Sequence, residues 1–111
     1  ALGLSNSARA GLTGFVAGTS RQVAEKGVTI NNLLPGVHET DRIRQMDAHE
    51  STSTGKALAE VSAARAAGIP TRHYGQAEDF GRMCAFLCSV HARYIVGQNI
   101  VLDGGETIAT I

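Results

Sequence analysis

The chain has 111 residues, with ten basic and ten acidic side chains, so its formal charge is zero. Its Lys and Arg residues form no basic stripe, which argues against a nucleic-acid or anionic-membrane partner. No apolar run approaches the roughly 20 residues that cross a bilayer, and no signal-peptide pattern opens the sequence; a soluble cytoplasmic protein, one small domain at most, is expected.

Residues 5–26 read as a helix, because Leu12, Phe15, Val16 and Val23 recur at helical steps and give one apolar stripe. Gly11, Gly14 and Gly18 lie within it, and glycine weakens a helix interior, so close packing is expected along that helix. Gly27 ends it, and residues 28–34, bounded by Gly27 and Pro35, read as a strand. Helix, tight turn and buried strand make half of a βαβ unit, which points to a parallel sheet. Pro35-Gly36 breaks the strand at its C-terminal end, the edge where open α/β sheets bind ligands. The polar segment 39–68 holds two weak helical stretches, 40–49 and 55–67, joined by a mobile-looking connection at 49–55. A long polar excursion at that edge is expected to serve as a substrate lid.

A firm helix follows at 76–90, with Phe80, Met83, Cys84 and Leu87 on its apolar side and Glu78 and Asp79 in its first turn. Cys84 and Cys88 read as buried, reduced thiols. With His91 they lack a fourth ligand, and no metal site is assigned. Residues 98–102 give a final strand, after which Asp103-Gly104-Gly105 turns away. Two strands offer too little sheet for the apolar stripes of both long helices. The residues themselves therefore point to part of a larger parallel-sheet α/β domain, whose remaining sheet is expected upstream.

Four segments carry a family resemblance: SARAGLTGFVAGTSRQVAEKGV, GVTINNLLPGVHET, AAGIPTRHYGQAEDFGRMCAFLCS and YIVGQNIVLDGG. In this order and spacing, spanning residues 5–105, the chain resembles the short-chain dehydrogenase/reductase family, and within it the 3-oxoacyl-acyl-carrier-protein reductases. The resemblance implies that residues 1–111 are the C-terminal portion of a doubly wound, parallel-sheet (Rossmann-type) α/β domain, a partial dinucleotide-binding oxidoreductase domain with the N-terminal half absent. It implies NAD or NADP held across the C-terminal edge of the sheet, and hydride transfer with a small-molecule carbonyl or hydroxyl substrate. It also implies a Gly-rich phosphate loop upstream, since the glycines at 11, 14 and 18 lie inside a helix.

The family's catalytic Tyr stands four residues before a Lys at the start of the first helix. The matching positions here are Ser5 and Arg9. An aliphatic hydroxyl is a much weaker acid than a phenol and needs a separate base. Arg9 keeps the positive charge for cofactor ribose hydroxyls but cannot relay a proton. Ser5 and Arg9 thus stand as an altered proton relay, or as a helix-start serine capping with Ser7 and a surface arginine. Pro35, Gly36, His38 and Thr40 match the family loop that meets the nicotinamide carboxamide through main-chain groups and a threonine hydroxyl. His38 replaces the family's Ile or Val and stands either as a proton donor facing substrate or as a solvated loop histidine. Taken alone, Pro35-Gly36 is a strand-ending turn. Arg42, Arg44, Met46 and His49 lie in the lid, where the two arginines offer contacts to an acidic carrier. Tyr94–Asp103, with Gly97 and Gly105, resembles the family's subunit-contact strand, so a homo-oligomer through residues 94–105 is expected. The alternative to an active oxidoreductase is a non-catalytic relative or truncated fragment that keeps only the fold or an assembly surface.

Overall fold

The computed structural model describes residues 2–108. In chain order these form α1 (Leu2–Val23) with a 3-10 turn at Ala24–Lys26, β1 (Asn32–Pro35), β2 (His38–Glu39), α2 (Asp41–Thr54), α3 (Leu58–Ala67), β3 (Gly75–Gln76), α4 (Ala77–Leu87), a 3-10 turn at Val90–Ala92, and β4 (Asn99–Leu102). β1 pairs with β4, and β2 pairs with β3 in parallel. Asn32 N donates to Gln98 O and Gly36 N to Leu102 O, each at 2.8 Å. Partner numbers rise together along β1 and β4, so that pair is parallel too, as the helix-then-strand order predicts.

The chain divides into two compact units, one joining the residues up to Leu34 with Met83–Ile100, the other joining Pro35–Arg82 with the residues from Val101 onward. In the first, α1 buries Val16 and Ser20. A Cβ at Gly97 would stand 2.5 Å from Ser20 Oγ, and Gly97 also has φ +67°, so only glycine fits there. Asn31 fixes the loop before β4: its Nδ2 donates to Ile95 O at 3.0 Å, and its Oδ1 accepts from Gln98 N at 2.9 Å.

Several expectations change here. The helix expected at 5–26 begins at Leu2, which puts Ser5 inside it and removes the N-cap reading. Leu12 and Phe15, expected to be buried, are 59% and 67% exposed. The buried residues of α1 are Val16 and Ser20 instead, the latter lying against Gly97 in the loop before β4. Gly11, Gly14 and Gly18 have nothing within 4 Å of a Cβ, so no close packing explains them among the described residues. The strand expected at 28–34 is Asn32–Pro35, with Pro35 inside it as its last residue. Cys84 and Cys88 are free and exposed, not buried. They line a shallow groove with Ile30, Leu33 and Leu87.

In the second unit, Ile43, Ile69 and Tyr74 form a core against which Val37 and Ala66 pack. The connection expected at 49–55 is helical: α2 continues to Thr54 and ends at Gly55, whose φ is +74°. Its Ser and Thr hydroxyls turn inward along the helix, Thr52 to Ala48 O, Ser53 and Thr54 to Glu50 O, which satisfies them without competing for the backbone N–H groups. The helix expected at 76–90 ends at Leu87, and the strand expected at 98–102 begins at Asn99. Strands β2 and β3 were not expected, because two residues carry no alternation to read.

Candidate functional site

The loop that leaves β1 is shaped by close approach. A Cβ on Gly36 would lie 2.7 Å from Asp103 Cα and 2.5 Å from its Cβ, so the backbone of Asp103 demands glycine at this position. Asp103 is itself fixed at the end of β4, where its carboxylate accepts from Gly105 N at 2.9 Å and Thr107 N at 2.8 Å. Hydrogen bonds from the Thr107 side chain, and then from main-chain N–H groups, hold that carboxyl below its ordinary pKa. Gly104 and Gly105 follow with φ +64° and +90°, the backbone that turns the chain away.

His38 follows on β2. Its Nδ1 lies 3.0 Å from Gly36 O, and a nitrogen there must carry hydrogen to donate, which leaves Nε2 as an acceptor in the neutral ring. The ring meets Phe80 edge to face, with centroids 6.0 Å apart. On its other side it lies against Gly75, where a Cβ would come within 2.7 Å of His38 Cδ2. Thr40 ends the loop as the N-cap of α2, its hydroxyl accepting from Ile43 N at 3.5 Å; the hydroxyl hydrogen remains available to a second partner. Pro35, Gly36, His38 and Thr40 line one mostly apolar cleft of about 330 Å³, together with Ala77 and Phe80. The structure thus brings these four expected residues together and adds two from α4. His38 also borders a second cleft of about 310 Å³, with Thr71, His73, Asp79 and Asp103.

Ser5 and Arg9 meet on α1. Arg9 Nη2 donates to Ser5 Oγ at 2.6 Å and Arg9 Nε at 3.2 Å, both side chains being exposed. The four-residue spacing places them one turn apart on a single helix face. In segment 39–68, Arg44 is engaged by Glu39 at 3.2 Å and Asp41 at 2.7 Å. Those carboxylates compete with any acidic carrier for its charge, which weakens the reading of Arg44 as a carrier contact.

Sequence reasoning missed a buried polar network beside the loop. Asp47 is 2% exposed. Its carboxylate accepts from Arg65 Nε at 2.6 Å, Tyr74 Oη at 2.8 Å and Ser62 Oγ at 3.0 Å, while Arg65 also donates to Glu50 at 2.9 Å. Burial works to raise the Asp47 pKa, but the hydrogen bonds from Arg65, Tyr74 and Ser62 together outweigh it and hold the carboxyl below its ordinary value. Burial, then the bond to Asp47, pushes Tyr74 up to about 12, so its phenol stays protonated near neutrality. Its hydroxyl hydrogen is already committed to the buried Asp47, so Tyr74 is not placed to act as a proton donor to a ligand in either cleft. The only sequence signal for this network was a lone Asp at a helical position facing Ile43, four residues away. Among the described residues, no group of three His, Cys, Asp or Glu side chains is placed to hold a metal, and no helix is long and apolar enough to cross a membrane.

The parallel β1–β4 pair, with its glycine loop at the C-terminal strand edge, is a Rossmann-type arrangement. A family model described as enoyl-(acyl carrier protein) reductase matches residues 3–107. The 3-oxoacyl-[acyl-carrier-protein] reductase FabG of Vibrio cholerae is 36% identical over 98 residues, covering 88% of this chain and 36% of that protein. The NADPH-dependent reductase BacG of Bacillus subtilis is 40% identical over 89 residues, covering 78% of this chain and 34% of that protein. The crystal structure of YwfH, an NADPH dependent reductase involved in bacilysin biosynthesis, superposes with a TM-score of 0.77 at 35% identity, over 90% of this chain and 38% of that one. The L-sorbose reductase of Gluconobacter frateurii shares the fold, with a TM-score of 0.86 at 23% identity over 94% of this chain and 40% of that one. This chain belongs to the short-chain dehydrogenase/reductase family, and it spans about a third of the length of the curated relatives it matches.

Proposed function

We propose that the chain supplies the C-terminal part of an NAD(P)-dependent oxidoreductase acting on a small carbonyl or hydroxyl compound. The observation that carries this reading is the Pro35–Thr40 cleft, whose glycine is forced by Asp103 and whose lining combines main chain, one imidazole and one hydroxyl. A flat, uncharged nicotinamide with a carboxamide suits such a lining. Pro35, Gly36 and His38 would offer main-chain groups to it and Thr40 its hydroxyl, while Arg9 would donate to ribose hydroxyls. The nicotinamide cofactor, when bound, supplies or takes the hydride.

The chain's own residues then orient the reactants and handle the proton. Arg9 holds Ser5 Oγ by two N–H donors, so the serine oxygen is fixed and its proton is free to face substrate. A serine hydroxyl gives up that proton only as negative charge develops on a partner, so turnover is expected to be slower than with a tyrosine. Segment 39–68 would cover the substrate, and residues 94–105 would join copies of the protein.

The Ser5 and Arg9 substitutions favour one second reading, a relative that binds cofactor without turnover. Carbonyl reduction by the protein carrying this chain, followed by loss of reduced-nicotinamide absorbance, separates the two. Turnover that falls about tenfold or more in Ser5→Ala supports the altered relay. Cofactor binding with no reduction of any carbonyl tested favours the non-catalytic relative.

A further inference from the structure

Tyr74 is the one buried side chain that belongs both to the lid's anchoring network and to the segment that carries β3. Its hydroxyl donates to Asp47 on α2, and its ring sits in the core with Ile43 and Ile69. Asp47 is also held by Ser62 and Arg65 of α3, so one carboxylate gathers both lid helices onto Tyr74. The next residue is Gly75. Its N–H donates to Val37 O at 3.0 Å, its Cα pairs with that of His38 in the β2–β3 register, and its missing Cβ leaves the space the imidazole fills. A displaced Tyr74 therefore moves Gly75, and with it the floor beneath the His38 ring.

We infer that Tyr74 is a positioning residue: through Asp47 on one side and Gly75 on the other, it ties the placement of the α2–α3 lid to the His38 ring that lines both clefts. The consequence for cofactor affinity rests on the function proposed above; the mechanical link does not. The charged and titratable groups around the link are Arg65 and Glu50 from the lid helices and Glu39 from β2. The arrangement makes the lid base a fixed hinge, anchored at mid-helix by Asp47 and at its start by the Thr40 cap, whereas the far turn at Gly55 carries no such tie to β2 or β3.

The test is peptide-resolved hydrogen exchange on the protein carrying this chain, comparing Tyr74→Phe, which deletes only the hydroxyl, with Ser62→Ala, which removes a different donor to the same carboxylate. Tyr74→Phe is expected to speed exchange in residues 35–40 and 72–76 by about tenfold or more, the effect of losing one bond to a buried charge. Ser62→Ala should loosen α3 and leave those two segments unchanged. Equal acceleration in both variants, uniform acceleration across all peptides, or no change at 35–40 would each overturn the inference. NADPH titration adds a second arm. Tyr74→Phe should weaken NADPH about tenfold in the native background and have no further effect beside His38→Ala; an undiminished effect there contradicts action through His38. If NADPH does not bind the unmodified protein, the functional reading fails, and the exchange arm still decides the positioning role.

Discussion

Asp47 stands among exposed neighbours on α2, with Arg44, Ala48 and His49 all open to solvent, yet its own carboxylate is closed off by three donors. Its depressed pKa and the raised pKa of Tyr74 make the stability of this unit depend on pH in two windows. The Asp47 contribution is present above the ordinary carboxylate value, about 3.9, and is lost as pH falls through the depressed one. The Tyr74 contribution is present below about 10 and is lost as pH rises through about 12. Denaturant melts of the protein carrying this chain, across pH, should therefore show an alkaline loss that Tyr74→Phe abolishes, at a cost near neutrality of about 1.5–3 kcal/mol. At Gly36, alanine would drive a methyl into the main chain of Asp103, and Gly36→Ala is expected to cost about 1–3 kcal/mol by the same melts. Pro35-Gly36 was legible locally as a strand-ending turn, whereas Thr40 was singled out through the family resemblance and its capping role was not read, because the helix was expected to begin at 40 and not at Asp41. The Tyr74–Asp47 bond was not legible, because its partners lie 27 residues apart and neither has a local motif.

Among the elements, long periodic segments were readable and short or atypical ones were not. The helices α1 and α4 and the pairing strands β1 and β4 all exist near their expected positions, since apolar periodicity and glycine stops survive without tertiary context. The Ser-Thr run at 51–54 read as a loop because hydroxyl side chains usually compete with helix hydrogen bonds; here Thr52, Ser53 and Thr54 bond back to carbonyls of their own helix, and Ser51 donates to Lys56 O just beyond it. The glycines of α1 give an element-scale prediction. Gly14 is helical and a Cβ there meets nothing within 4 Å among the described residues. Gly14→Ala should stabilise the chain by up to about 1 kcal/mol, the propensity difference. A destabilising result in the protein carrying this chain would mean that a further element packs against that face.

For the whole molecule, the apolar side chains left exposed on α1 and between α4 and β4 set the expectation. Leu12, Phe15, Val90 and Tyr94 are exposed while only six apolar residues count as buried among those described. So little buried surface does not sustain cooperative folding. The chain by itself is expected to melt broadly and to bind a hydrophobic dye, and a sharp two-state transition would contradict that. The family and the Rossmann-type fold were legible because four motifs fell in order along the chain; Ser5 and Arg9 were singled out only through the resemblance, and their hydrogen bond comes from the structure. The central proposal is that this chain contributes to holding a nicotinamide cofactor, with Arg9 donating to its ribose. The measurement that tests it most directly is titration of NADH and NADPH into the protein carrying this chain and into its Arg9→Ala variant, read by nicotinamide fluorescence. The account predicts saturable binding of at least one of the two, weakened about tenfold or more in the variant, as expected for a lost charge-assisted bond. Binding of neither, or an affinity unchanged by Arg9→Ala, would contradict it.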